Sequence, residues 1–296
     1  MVIKSKKRIR VEGHWDKPEN ILKRLLLQFK TPQIDLSDII FVFDNSFDYC
    51  VCFNHINVPI LPNKKYYVFP HEPIWAGSHQ KTFTENSTVF GFEQKYYTGN
   101  CIETVSHTFY GGRGPWVDSL DIWNYDNLSN KIFNKSKNIS SCITEINYDY
   151  GLYKKRFNLL KNILPLNFID FYGCSGQNLP NTLSSQYKID STENYKFTIC
   201  VENDFQNNWL TERFYDAILT DCIPIYYGCK NLKEIYPEDG YILLENIEDL
   251  NSIKNLLIQI NKNADTIYQQ KLENSRKIKE RYLSEFNLLK KIISLN

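Results

Sequence analysis

Apolar and polar positions along this chain keep switching between a period of about two and a period of about 3.6. Residues 8–13 read as a strand. From 17 to 30 the apolar residues Ile21, Leu22, Leu25, Leu26 and Phe29 fall at helical spacing, and Pro18 suits the first turn. Residues 38–43 and 65–69 are further apolar strands, the second running into Pro70-His71-Glu72-Pro73. Between about 97 and 137 the signal weakens: Gly111-Gly112-Arg113-Gly114-Pro115-Trp116 is turn chemistry, and 124–137 is polar without sustained periodicity. The alternation then resumes, predicting strands at 140–145, 168–172, 197–201, 223–227 and 241–244 and helices at 153–163 and 211–219. Short β-rich runs separated by helices predict parallel sheets covered by helices.

The tail from 247 to 295 is helical by pattern, with Ile253, Leu256, Leu257 and Ile260 on one face. Two helices are expected, broken near 261–265, the last packing back onto the first domain. The weak stretch before 137 sets the expected division into domains 1–137 and 138–296.

Composition narrows the function classes. With 35 Lys plus Arg against 34 Asp plus Glu, the net charge of +1 gives no global field toward nucleic acid or anionic lipid, so an anionic ligand must be held locally. The eight cysteines show no CxxC pair and no zinc spacing, and they read as buried reduced thiols. No apolar stretch suits a signal peptide or a bilayer span, which gives a cytoplasmic expectation with at most peripheral membrane contact through the basic N-terminus.

The candidate chemistry sits where the strand at 197–201 ends. Val201-Glu202-Asn203 is followed by a polar loop and then by Trp209-Leu210-Thr211-Glu212-Arg213 at a helix start. Thr211 suits the N-cap, so the first amides of that helix and the Arg213 fork favour phosphate oxygens. Carboxylates at Glu202 and Glu212 can accept from sugar hydroxyls, and Trp209, Tyr226 or Tyr227 can offer a ring face. Together these describe a site for a nucleoside diphosphate bearing a sugar. A solvated charged helix turn explains the same residues without a ligand.

The strings YKFTICVEN, WLTER and IPIYYG, taken in this order, resemble the donor-binding motif of the α-1,3/4-fucosyltransferases of glycosyltransferase family 10. The match is close over about 35 residues, with a looser echo in Phe168-Ile169-Asp170-Phe171-Tyr172-Gly173-Cys174. The resemblance implies an α/β fold of the GT-B type: two Rossmann-like domains with parallel sheets, a cleft between them and a helical C-terminal tail. It implies an N-terminal acceptor-binding domain, a C-terminal domain holding GDP-fucose as donor, and inverting transfer to an oligosaccharide or glycolipid acceptor, such as a surface glycan.

Carried over residue by residue, Glu212 would hold ribose hydroxyls, Arg213 stands where the family has lysine at the diphosphate, Asn203 belongs to the element near the nucleotide, and Trp209 stands where tyrosine is usual. Arginine changes the geometry of the charge and tryptophan loses a hydroxyl, which leaves the donor sugar open. The family's diphosphate-binding arginine maps to Arg156, with Lys154 and Lys155 as rivals. Its catalytic base, a glutamate after an N-domain strand, maps to Glu72, with His71 as alternative and with Phe69 and Trp75 as apolar neighbours.

No cofactor is expected to be required. A divalent metal could stimulate, but no site is identified; Asp44 and Asp48 in FDNSFD lack a third hard ligand at regular spacing and read as a loop. Two other classes compete. A nucleotide-sugar dehydratase or epimerase would use Tyr150 and Lys154 as a YxxxK pair, but that needs a Gly-rich turn which the N-terminus does not offer. A noncatalytic carbohydrate-binding protein would keep the fold without the reaction.

Overall fold

The computed structural model describes residues 6–76, 85–97, 99–111, 120–142, 148–172, 182–183 and 188–295. The chain gathers into two compact units. One holds residues 1–109, 113–125 and 283–296; the other holds 110–112 and 126–282.

The first unit is built on β1 (Lys7–Gly13), α1 (Pro18–Phe29), β2 (Ile39–Phe41), β3 (Tyr49–Phe53), β4 (Lys65–Phe69), β5 (Ser87–Gly91) and β6 (Asn100–Glu103). The six strands form one sheet in the order β2-β1-β3-β4-β5-β6, and every described pairing is parallel. Pro18 opens α1, which buries Ile21, Leu25 and Phe29. Strand β3 is buried along its whole length, as a central strand covered on both faces must be.

The second unit begins at α2 (Tyr125–Asn130) and continues through β7 (Lys137–Ser141), α3 (Tyr153–Ile163), β8 (Ile169–Tyr172), β9 (Thr182–Leu183), β10 (Tyr195–Val201), α4 (Glu212–Leu219), β11 (Ile223–Tyr227), α5 (Leu232–Ile235), β12 (Ile242–Leu243), α6 (Leu250–Lys262) and α7 (Ala264–Ser284). Its sheet runs β12-β11-β10-β7-β8-β9, again parallel throughout. Ile139, Phe197, Ile199, Val201, Ile223 and Ile225 pack with Leu159, Leu160 and Ile163 of α3 and with Ile253, Leu257 and Ile260 of α6. Burying each such side chain contributes about 1.5–3 kcal/mol, which is enough to hold both helices on the sheet.

In both sheets the strand order reverses next to the first strand of the unit, between β1 and β3 and between β7 and β10. At such a reversal the connections leave on opposite faces, and a crevice opens beyond the carboxyl ends.

Several expectations change. Strands β3, β5, β6 and β9 carry no sequence expectation, and the polar stretch after 124 contains the short helix α2. Strand β7 starts at Lys137 and ends at Ser141, ahead of the expected 140–145; residues 143–147 lie outside the described ones, as do Gly112 to Trp116 and the Gly173-Cys174 end of the echo.

The tail holds three helices, not two. A third, α8 (Leu288–Ile293), follows a break made by side-chain capping rather than by Gly or Pro. The Asn287 Oδ1 accepts from Lys290 N at 2.9 Å, and its Nδ2 donates to Phe29 O at 2.7 Å. Residues 283–296 belong to the first unit, where Tyr49 OH donates to Ile292 O at 2.8 Å and Lys7 Nζ to Leu295 O at 2.7 Å. No helix among the described residues is long and apolar enough to cross a membrane.

Candidate functional site

At the reversal between β7 and β10, β10 delivers Glu202 and Asn203. Glu202 is fully buried. Its Oε1 accepts from Thr211 N at 2.9 Å and from Tyr226 OH at 3.3 Å; its Oε2 accepts from Thr211 Oγ1 at 2.7 Å and pairs with Arg213 Nη1 at 3.4 Å. Burial pushes the Glu202 carboxyl upward, against the Arg213 charge and the Thr211 hydrogen bonds. Through Thr211 and Arg213 it braces the start of α4. Gly228 is part of this brace: a Cβ there would meet Glu202 Cγ at 2.3 Å.

Thr211 is the N-cap of α4, as expected, its side chain accepting from Arg213 N at 3.3 Å. Arg213 in the first turn faces Glu212 at 3.6 Å as well as Glu202. Burial opposes its charge, but Glu212 and Glu202 more than offset this and hold it up. Asn203 and Trp209 serve each other: the buried indole Nε1 donates to Asn203 Oδ1 at 3.0 Å, and Asn203 O accepts from Leu152 N at 2.9 Å, tying the loop before α3 to the loop after β10. Tyr227 is nearly buried, and its ring stacks on half-exposed Phe205 at 4.8 Å and 7°.

Arg156, in the first turn of α3, is 1% exposed. Among the described residues its Nε, Nη1 and Nη2 have no hydrogen-bond partner. Its guanidinium lies 5.3 Å from the centre of the Tyr153 ring, a contact that offsets only part of the cost of burying a charge. Burial and the Arg213 charge push it down to about 9, so it stays cationic at neutral pH. Two guanidinium groups from the first turns of two helices, α3 and α4, thus weigh on each other, an arrangement that an anion relieves. The rival lysines turn outward to exposed surface pairs, Lys154 with Asp149 and Lys155 with Glu248, each at 2.8 Å.

Sequence reasoning missed Lys188. It pairs with Asp216 at 2.6 Å and with Glu212 at 3.6 Å, while Asp216 Oδ1 accepts from Gly111 N at 2.8 Å. No periodic signal marks Lys188, because it stands in a 3₁₀ turn before β10. It holds Glu212 at the rim of the site.

In the first unit, Glu72 lies on the loop after β4 and is half-buried. His71 is boxed in by rings, stacked on Trp15 at 5.5 Å and 24° and against Phe53 at 4.9 Å. Its backbone N donates to Asn54 Oδ1 at 2.6 Å, and Asn54, at φ +73°, also lies 3.3 Å from His14 Nδ1 through its Nδ2. His55 is 5.2 Å from His14, centre to centre. Asp44 and Asp48 serve backbone amides: Asp44 accepts from Ser46 N at 2.9 Å within its own loop, and Asp48 accepts from Arg8 N of β1 at 2.7 Å. Among the described residues no group of three or more His, Cys, Asp or Glu is placed to hold a metal ion.

The model of the glycosyltransferase family 10 (fucosyltransferase) C-terminal domain matches residues 132–286, just over half of the chain. The chain is 29% identical over 146 residues to α-(1,3)-fucosyltransferase B of Drosophila melanogaster, covering 46% of this chain and 32% of that protein. It is 29% identical over 135 residues to an α-(1,3)-fucosyltransferase of Caenorhabditis elegans, covering 43% and 32%. The matches span a third or less of these relatives' length. Among solved structures, a crystal structure of α1,3-fucosyltransferase is similar at TM-score 0.55 and 14% identity, covering 100% of this chain and 92% of that one. A crystal structure of α1,3-fucosyltransferase with GDP is similar at TM-score 0.53 and 13% identity, covering 92% and 83%. These likenesses are to fold, α/β of the GT-B type. With the family model matching just over half of it, the chain belongs to glycosyltransferase family 10.

Proposed function

We propose that the protein transfers fucose from GDP-fucose to a hydroxyl of a glycan acceptor, with inversion at the anomeric carbon. The observation that carries this reading is the buried, unpartnered Arg156 guanidinium beside Arg213 and the N-terminus of α4. A buried cation without a partner costs several kcal/mol unless a ligand completes it, and a diphosphate is a dianionic, fork-matched complement. Family membership and the likeness to a fucosyltransferase crystallised with GDP support the choice of nucleotide.

In this reading Arg156, Arg213 and the first amides of α4 hold the diphosphate, and Glu212, steadied by Lys188, accepts from ribose hydroxyls. Glu202, Thr211, Asn203 and Trp209 keep that cradle in shape, and Tyr227 with Phe205 lines its rim. The acceptor oxygen attacks the anomeric carbon while its proton passes to Glu72. The bond from that carbon to the phosphate oxygen breaks, and GDP leaves with the electron pair. The two guanidinium groups are closest to the oxygen on which charge develops, where they lower the barrier most. His71 is a weaker base candidate, because Trp15 and Phe53 cover its ring.

A second reading, transfer from another GDP-sugar, rests on Trp209. Its indole is spent on Asn203, so the hydroxyl that a tyrosine would present at this position is missing. The acceptor is proposed as an oligosaccharide or glycolipid such as a surface-glycan precursor, handled in the cytoplasm.

Thermal unfolding with and without GDP and GDP-fucose tests the reading. Saturable stabilisation by both is expected, with Glu72→Ala keeping it while losing transfer of labelled fucose. The donor assignment fails if neither nucleotide raises the melting temperature. Full transfer by Glu72→Ala removes Glu72 from the reaction.

A further inference from the structure

The loop that carries Glu72 is held at its root by a side chain from the neighbouring strand end. Phe69 closes β4 and Pro70 has no N–H, so His71 offers the first backbone donor beyond the strand. The register of β4 with β5 runs from Tyr66 to Val68 and stops short of it. Asn54, the first residue past β3, takes that donor: its Oδ1 accepts from His71 N at 2.6 Å, and its own N donates to Phe69 O at 2.9 Å.

Three properties set Asn54 apart from an ordinary turn residue. It is fully buried. Its backbone is left-handed, at φ +73°, a region that glycine, asparagine and aspartate enter at small cost. The two ends of its amide are also told apart. A backbone N–H can only donate, so the oxygen faces His71 and Nδ2 faces His14 Nδ1, 3.3 Å away, which must then accept. One side chain thus joins the ends of β1, β3 and β4. His71 is held by its ring as well, stacked on Trp15 and packed against Phe53. Glu72 follows directly, and Pro73 O then accepts from Ala76 N at 2.9 Å to close the next turn, so Glu72 stands between two tied points.

We propose that Asn54 is a positioning residue for the transfer step: through the His71 backbone amide it sets where the Glu72 carboxylate stands when the acceptor hydroxyl gives up its proton. This rests on the reading that Glu72 takes that proton. A base moved by about 1 Å can lose about a hundredfold in rate with binding left intact. The residues read as the diphosphate cradle belong to the second unit, so the loss falls on kcat and not on the KM for GDP-fucose.

Transfer kinetics of the full chain, in a double-mutant cycle over Asn54→Gly and Glu72→Ala, test the proposal. Glycine accepts the left-handed backbone, so the change removes the side chain alone. Asn54→Gly is expected to lower kcat about a hundredfold with the KM for GDP-fucose within about twofold, and to lower kcat no further once Glu72 is replaced, because both changes then remove one function. Asn54→Asp keeps the backbone and an acceptor for His71 N, and its kcat is expected to stay within about fivefold of wild type. It also decides the matter if the glycine variant shows no cooperative melting transition. An unchanged kcat in Asn54→Gly overturns the proposal. An equal fall in kcat with and without Glu72 overturns it too, because Asn54 would then serve the fold alone, and so does an Asn54→Asp variant as slow as Glu72→Ala. If Glu72→Ala transfers at the wild-type rate, the reading of Glu72 as base falls and the role of Asn54 with it; if Glu72→Ala loses transfer and Asn54→Gly keeps it, only the positioning role falls.

Discussion

The carboxyl ends of the two sheets are finished in different materials. At the ends of β1, β3 and β4 the first unit gathers rings: His14, Trp15, Phe53 and His71, with Phe109 packed against them and Asn54 binding the ends together. Beyond β10 and around α4 the second unit places charges: Glu202, Glu212, Arg213, Lys188 and the uncompensated Arg156. The same kind of parallel sheet, with its order reversed beside the first strand of the unit, carries both. The fold therefore sets where a ligand can bind, and the residues just past the strands set which ligand. Phe53, His71 and Phe109 are buried against one another, so the rings of the first edge are largely satisfied by their own packing. An edge with an unmatched guanidinium suits an anion.

The sharpest way to break this contrast is to remove the unmatched charge. Arg156→Leu is expected to weaken GDP binding about a hundredfold or more by calorimetry, a loss of about 2.7 kcal/mol. The unliganded protein should melt at or above the wild-type temperature, because a desolvated, unpaired charge has gone. A clear drop in unliganded stability would mean that Arg156 is structurally matched, and the contrast would lose its main support.

The matched carboxylate should behave in the opposite way. Glu202→Ala leaves Thr211 N, Thr211 Oγ1 and Arg213 without their buried acceptor, and is expected to cost about 3–5 kcal/mol in urea unfolding, with or without nucleotide. A cost below about 1 kcal/mol would show that the brace is not what holds α4 in place.

The first unit offers a smaller test of its own. His107, buried against Phe69, is pushed down to about 4 by burial and by Lys291. Between pH 6.5 and 4 the unfolded chain therefore holds a proton there that the folded chain lacks. Stability should fall by about 3 kcal/mol as pH drops through that window, then lose nothing more from this group below pH 4. Comparing wild type with His107→Leu isolates the effect: the variant's stability curve should be flatter from pH 6.5 to 4, and parallel curves would place the His107 proton elsewhere.

Much of the second unit is legible in the chain. Helix α3 and strand β11 occupy the expected residues, and Thr211 caps α4, because a buried strand needs a continuous apolar run and a helix start needs a side-chain acceptor. The edge strands of the first sheet are less legible. Ser87–Gly91 and Asn100–Glu103 are short, and the second is largely exposed, so little apolar pattern is required of them. Strand Tyr49–Phe53 is apolar enough to be seen, yet a five-residue run gives no periodicity to separate it from its surroundings.

By itself the sequence determined the alternating elements, the Thr-capped helix start and the family motif, because these depend on residues close together along the chain. Tertiary structure alone decided which charges are matched. Arg156 and Arg213 look alike in the sequence, each in the first turn of a helix, but Arg213 is paired with Glu202 and Glu212 while Arg156 has no hydrogen-bond partner among the described residues. Burial and hydrogen-bond completion depend on groups brought together from distant segments, and no local spacing encodes them.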